Sequence, residues 1–187
     1  MHGFNTLRGT NIHQRDKTLT GSPNNDYLEG ETTEASRNYW SISGHEGNDR
    51  LIGSLGGDFL TGGDGEDVLV GKGGDDELAG GERPSYAIAG STGTVSHGRS
   101  DDDEADEFHF GSDDGSDGIW DFAPGTPDNP LDKIVLLGGG QEDIDNVVAS
   151  AEAEPNTGKA TVFYGDTVIY LAGQSPEDVA DYWFTVA

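Results

Sequence analysis

The sequence has 187 residues, of which 32% are hydrophobic and 30 are glycine, with 36 Asp and Glu against 10 Lys and Arg and no cysteine. The formal charge of −26 excludes a protein that tracks nucleic-acid phosphates and disfavours docking on anionic lipid. The lack of cysteine excludes disulfides, thiolate metal sites, a Cys nucleophile and iron–sulfur clusters. A folded state then has two options: the acids lie on a solvated surface, or bound cations neutralise many of them.

Residues 1–20 read as a lead-in, with no apolar stretch of the kind a cleavable signal peptide needs. No apolar run anywhere approaches the roughly 18 residues of a membrane-spanning helix. At residue 21 a nine-residue pattern begins with GSPNNDYLE (21–29), which keeps Gly21, Asp26 and Leu28 but has Asn24 where the pattern has Gly. Asn tolerates left-handed backbone better than other non-glycine residues, so that replacement is mild. A fourteen-residue insertion, residues 30–43, then separates this unit from the next.

Four nonapeptides follow in unbroken register: GHEGNDRLI (44–52), GSLGGDFLT (53–61), GGDGEDVLV (62–70) and GKGGDDELA (71–79). The first place holds Gly44, Gly53, Gly62 and Gly71, and the fourth Gly47, Gly56, Gly65 and Gly74. The sixth is always Asp (Asp49, Asp58, Asp67, Asp76) and the eighth always Leu (Leu51, Leu60, Leu69, Leu78). A fifth unit starts at Gly80 and Gly81 and is broken by a second insertion over about 82–100. A flexible linker does not keep Leu at a fixed ninth position.

Physically, G-x-x-G-x-D-x-L-x is a tight turn followed by a very short strand. Glycine permits positive φ and close backbone approach, Asp points into the turn, and Leu faces inward. Two units make one coil, so residues eighteen apart stack: Asp49 on Asp67 at one edge, Asp58 on Asp76 at the other. Leu51 and Leu69 then line one thin sheet, Leu60 and Leu78 the opposite one. Stacked carboxylates repel unless a cation lies between them. Ca²⁺ suits a flexible cage of carboxylates and carbonyls, Mg²⁺ demands stricter octahedral geometry, and no His or Cys column favours zinc or copper.

These repeats resemble the glycine-rich nonapeptides of the RTX (repeats-in-toxin) family, whose parallel β-roll binds Ca²⁺. The resemblance implies several ions, each held between a turn and the turn two repeats on. One would lie between Asp49 and Asp67 and another between Asp58 and Asp76. Further sites would pair Asp26 with Asp58, and Asp67 with the turn at Gly80 and Gly81. Carbonyls at or near Gly44, Glu46, Gly53, Leu55, Gly62, Asp64, Gly71 and Gly73 would complete them. The turn positions Asn24, Gly47, Gly56, Gly65, Gly74 and Gly81 join the same implied ion-binding set.

From residue 101 the pattern changes to an acidic run, then FHF (108–110), GSDDGSDGIWDFAPG (111–125) and LDKIVLL (131–137). This block resembles the degenerate last repeat and capping segment of RTX domains, which implies further ligands at Asp106 and at Asp117, with Asp113 as the alternative to Asp117. An EF-hand reading of Asp113, Gly115 and Asp117 fails because Pro124 stands where the bidentate Glu belongs. Ile144, Val147, Val148 and Ala151 fall at helical spacing, with Glu142 and Asp143 at the amino-terminal end. A hairpin is expected over 160–164 and 167–171 around Gly165 and Asp166, then a helix start at Ser175 and Pro176. The closing DYWFTVA resembles the uncleaved signal of type I secretion substrates.

The expected architecture is thus all-β: a parallel β-roll over 21–100, interrupted at about 30–43 and 82–100. A β-rich carboxy-terminal cap over 101–187 carries one or two short helices and ends in a type I secretion signal. The five His form no H-E-x-x-H grouping, and no G-x-S-x-G elbow or P-loop is present, so the chain is expected to be non-catalytic by itself. The RTX resemblance implies secretion from a Gram-negative bacterium through the type I machinery, with Ca²⁺ bound outside the cell. Three alternatives share the repeats: the secretion and folding module of a larger extracellular enzyme, a binder of acidic polysaccharide, and a matrix protein that self-associates as calcium rises.

Overall fold

The structure, a computed structural model, describes residues 5–8, 16–31, 39–81, 105–155 and 157–187. The second insertion, with Tyr86, and residues 101–103 of the acidic run lie outside the described residues. In chain order the elements are β1 (Asn5–Arg8), β2 (Asp16–Thr20), β3 (Asp26–Glu29), β4 (Tyr39–Glu46), β5 (Arg50–Ile52), β6 (Phe59–Asp64), β7 (Val68–Val70), β8 (Glu77–Ala79), β9 (Glu107–Phe110) and β10 (Ser116–Ile119). They continue with β11 (Gly125–Thr126), β12 (Asn129–Pro130), β13 (Lys133–Leu136), α1 (Gln141–Ala149), β14 (Glu152–Ala153), β15 (Ala160–Tyr164), β16 (Thr167–Leu171) and β17 (Phe184–Val186).

The winding chain deals its strands alternately to two sheets, of order β1-β3-β5-β7-β9-β13-β17 and β14-β15-β16-β10-β8-β6-β4-β2. All neighbours in the first sheet are parallel. So are those from β2 to β16 in the second. This is the parallel β-roll expected from the repeats.

Between the sheets run two apolar ladders, one side chain per strand. Leu28, Leu51, Leu69, Phe108, Ile134 and Phe184 stand in register in one sheet. Leu19, Ile42, Leu60, Leu78, Ile119 and Leu171 do so in the other. Most are fully buried: Leu28, Leu51, Leu69, Leu78, Phe108, Ile119, Ile134 and Leu171 have no exposure. The ladder is narrow for the chain it must order. Fixing backbone costs about 1–2 kcal/mol per residue. A fully buried Leu returns about 1.5–3 kcal/mol, and each eighteen-residue coil contributes only one such residue to each sheet.

Three boundaries differ from those read off the sequence. β1 and β2 come from the expected lead-in yet head the two sheets. The first insertion is part roll: Ile42 pairs with Leu60 in the Leu column, and Trp40, nine residues before Asp49, occupies the Asp column. A bulky apolar residue in the sixth place erased the signature without removing the coil. The cap, too, begins as roll, since β9, β10 and β13 extend both sheets in parallel before the hairpin β15–β16 ends one of them.

The hairpin turns at Gly165, at φ 61°, as its Gly-Asp turn requires. Helix α1 buries Ile144 and Val147, and the Asp143 carboxylate accepts the Gly140 N–H at 2.7 Å. Ser175 and Pro176 open only a single 3₁₀ turn, Pro176–Asp178, because the chain returns to extended backbone at Val179.

Leu69 lies between Leu51 and Phe108 in the first ladder, so Leu69→Ala should cost about 2–5 kcal/mol. The expected reading is a lower urea midpoint for the calcium-loaded protein at unchanged denaturant slope.

Candidate metal centre

The turns stack into two edges. On one, the sixth-place residues are Asp26, Asp49, Asp67, Asp106 and Asp132; on the other, Trp40, Asp58, Asp76 and Asp117. Each Asp after Asp26 reaches toward the preceding coil, where its Oδ1 accepts the backbone N–H of the equivalent residue. Asp26 N–H donates to Asp49, Asp49 to Asp67 and Asp67 to Asp106, at 2.7, 2.7 and 2.8 Å. Asp106 N–H donates to Asp132 at 3.2 Å. On the other edge Trp40 donates to Asp58, Asp58 to Asp76 and Asp76 to Asp117, at 2.7, 2.7 and 3.0 Å.

This pattern corrects one expected pairing. Asp26 stacks on Asp49, not on Asp58, because the coil that contains Trp40 puts Asp58 on the opposite edge. The stacking of Asp49 on Asp67 and of Asp58 on Asp76 is as read from the eighteen-residue spacing.

The second carboxylate oxygen turns inward under the first glycine of its own repeat. A Cβ on Gly53 would stand 2.5 Å from Asp58 Oδ2 and 2.5 Å from the Gly71 carbonyl oxygen. On Gly44 it would collide with Asp49 Oδ2 and lie 2.6 Å from the Gly62 oxygen. Gly62 stands in the same relation to Asp67 and the Gly80 oxygen, and Gly80 itself packs against Asp106 Oδ2. First-place glycine is therefore required for close approach, with ordinary φ. Positive φ belongs to the fourth place, at Gly47, Gly65 and Gly74, but not at Gly56.

These oxygens fit a hard cation. Asp49, Asp67, Asp76 and Asp117 are each 2% exposed or less. Oδ2 of Asp49, Asp76 and Asp117, and Oδ1 of Asp26, have no hydrogen-bond donor. A buried carboxylate oxygen without donor or counter-ion is costly. Among the described residues no three His, Asp or Glu side chains converge, so an ion here would need carbonyl oxygens besides the paired carboxylates. The third-place residues Glu46, Leu55 and Asp64 are exposed, and Gly47 N–H donates to the Asp64 carbonyl at 2.8 Å. Gly73 N–H donates to the Ser54 carbonyl at 3.3 Å, and Asn24 is exposed at the rim of its turn.

Electrostatics agree with the geometry. Burial pushes the Asp49 carboxyl up to about 6, with the Asp26 charge adding to it. Burial lifts Asp117 to about 7, helped by Asp114 and Asp75. It lifts Asp76 to about 8, helped by Asp117, Asp58 and Asp114. It lifts Asp106 to about 9, with Asp132, Asp67 and Asp121 adding. Burial also raises Asp58, opposed by N–H groups of Trp40 and Ser54.

Two carboxylates outside the expected set close the column ends by hydrogen bonds. Asp121 accepts Gly80 N–H at 3.0 Å and Gly81 N–H at 2.9 Å, which occupies the Gly81 amide. Asp132 accepts from Asp106 and, at 2.8 Å, from Ala123. Asp132 carries a visible signal, an Asp two places before the apolar strand residue Ile134, whereas Asp121 directly precedes the buried Phe122; neither has the opening glycine.

The fold and its turns define a calcium-binding β-roll. Residues 42–82 match the family model of the RTX calcium-binding nonapeptide repeat, in four copies, so these are RTX repeats and their ion is Ca²⁺. Among solved structures, the extracellular lipase LipA from Serratia marcescens is similar at 13% identity and a TM-score of 0.40, over 97% of this chain and 42% of the lipase. The chain thus spans less than half the length of that lipase. No curated protein sequence matches it.

Without a cation, the raised carboxyls set the pH dependence. Their folded values lie above the ordinary 3.8, so the protonated forms stabilise the roll fully below about pH 4. That contribution is lost as pH rises through 6 to 9. In chelator, the far-UV circular-dichroism β signal should therefore fall as pH rises from 4 toward neutrality, and Asp76→Asn should lessen that fall.

Proposed function

We propose that this chain is an extracellular, non-catalytic calcium module whose roll folds as Ca²⁺ binds. The observation that carries the reading is the pair of buried Asp columns. Their Oδ1 atoms knit coil to coil through backbone N–H groups, while Oδ2 of Asp49, Asp76 and Asp117 is buried without a donor. Asp49, Asp67, Asp76, Asp106 and Asp117 would hold the ions with first-place glycine carbonyls. Bound Ca²⁺ supplies the positive charge that the columns lack. One inward side chain per strand is too little apolar burial to order each coil alone, so binding and folding become one transition.

Extracellular calcium modules work at about 10⁻⁴–10⁻³ M, so such a chain stays unfolded in a low-calcium cytoplasm and folds outside. That property suits export through the type I machinery, to which the DYWFTVA segment bears its resemblance. Far-UV circular dichroism during a calcium titration from chelator, with magnesium as control, tests the reading. A cooperative gain of β signal with Ca²⁺ alone is expected. A protein already compact and protease-resistant in excess chelator at neutral pH would overturn it.

A further inference from the structure

The repeats are alike in sequence but their turns take two backbone forms. In turns 44–49, 62–67 and 71–76 the second residue is left-handed: His45 at φ 84°, Gly63 at 121° and Lys72 at 75°. The fourth is left-handed too, at Gly47, Gly65 and Gly74, with φ of 115°, 128° and 117°. His and Lys seldom adopt this conformation, and such strain persists only where the surroundings impose it. In turns 21–26 and 53–58 neither place is left-handed, and both turns have Ser in the second place.

That serine changes the carboxylate. Ser22 N–H donates to Asp26 Oδ2 at 2.5 Å and its hydroxyl to the same oxygen at 2.9 Å. Ser54 N–H donates to Asp58 Oδ2, and its hydroxyl lies 3.3 Å from Asp58 Oδ1, which also accepts Trp40 N–H. Gly56 N–H closes the turn onto the Ser54 hydroxyl at 3.2 Å. The inward oxygen of Asp26 and of Asp58 is thus already supplied with donors. In the open turns, Asp49 Oδ2 and Asp76 Oδ2 have none, although both residues are 2% exposed.

The closed turns sit at matching places. Each is the first of its edge to carry the Asp column among the described residues: Asp26 on one, and Asp58 on the other, preceded by the buried Trp40. We infer that serine in the second place substitutes for an ion. On this assignment the gaps Asp26–Asp49 and Asp58–Asp76 hold no Ca²⁺, and binding is confined to Asp49–Asp67, Asp67–Asp106 and Asp76–Asp117. The inference rests on the calcium reading above and narrows it, removing the ion that the RTX resemblance implies between Asp58 and Asp76.

The test is native mass spectrometry of the folded full chain at saturating Ca²⁺, with circular dichroism to establish that each variant folds. Ser54→Gly frees the left-handed form and should add one ion per chain. Ser54→Ala keeps the N–H and disfavours positive φ, so its count should equal the wild type. His45→Ser should close an open turn and remove one ion. Equal, nonzero counts in all four proteins would overturn the inference alone. No bound Ca²⁺ in the wild type would overturn the calcium reading and the inference together.

Discussion

Everything in this roll depends on one contact, repeated along both edges: an Asp Oδ1 accepting the backbone N–H of the residue that holds its own place one coil earlier. The contact needs an ionised or at least acceptor oxygen deep in a turn, and it fixes the vertical register of the coils to within a hydrogen bond. The strands could not do so by themselves. They are three to six residues long in the repeats, and parallel pairing of such short segments would tolerate slippage. By turning Oδ1 toward the neighbouring coil, the same contact forces Oδ2 beneath the opening glycine. The hydrogen-bond ladder and the electrostatic burden are therefore two ends of one carboxylate.

That coupling explains why the repeat is so uneven in what it tolerates. The sixth place accepts Trp40, which pairs in register with Lys17, because the backbone N–H, not the side chain, is what Asp58 needs. Lys17, in register with Trp40, lies 4.7 Å from its ring, a cation–π contact that caps the apolar end of this edge. At Gly21, Gly44, Gly53 and Gly62 the first place accepts no side chain, since even a methyl would meet the next coil's carbonyl.

Sequence periodicity was a good guide wherever turn and strand columns coincide. Asp and Leu at fixed places from 44 to 79 revealed the roll, its two edges and the stacking of Asp49 on Asp67 and Asp58 on Asp76. It failed where a coil kept the Leu column and lost the Asp and Gly columns. Residues 39–43 were hidden in this way, and a single undetected half-coil was enough to put Asp26 on the wrong edge. The cap behaves similarly. Asp106 and Asp117 were visible through their Asp-x-Phe and Asp-x-Ile spacing, whereas the parallel continuation of both sheets through β9, β10 and β13 was not, because the intervening segments differ in length. The two turn forms depend on φ at the second residue, and His45 and Lys72 give no hint of left-handed backbone.

The last strand has an implication for timing. β17 pairs in parallel with β13, burying Trp183 and Phe184, while Gly138 N–H donates to the Ala187 carbonyl and Ala187 N–H to the Leu136 carbonyl. Residues 184–186 are thus a strand of the sheet, entered from the 3₁₀ turn Asp181–Trp183. A receptor that grips these apolar residues as an extended peptide competes directly with strand docking. Any such grip on this segment would have to precede its docking on β13 or undo it.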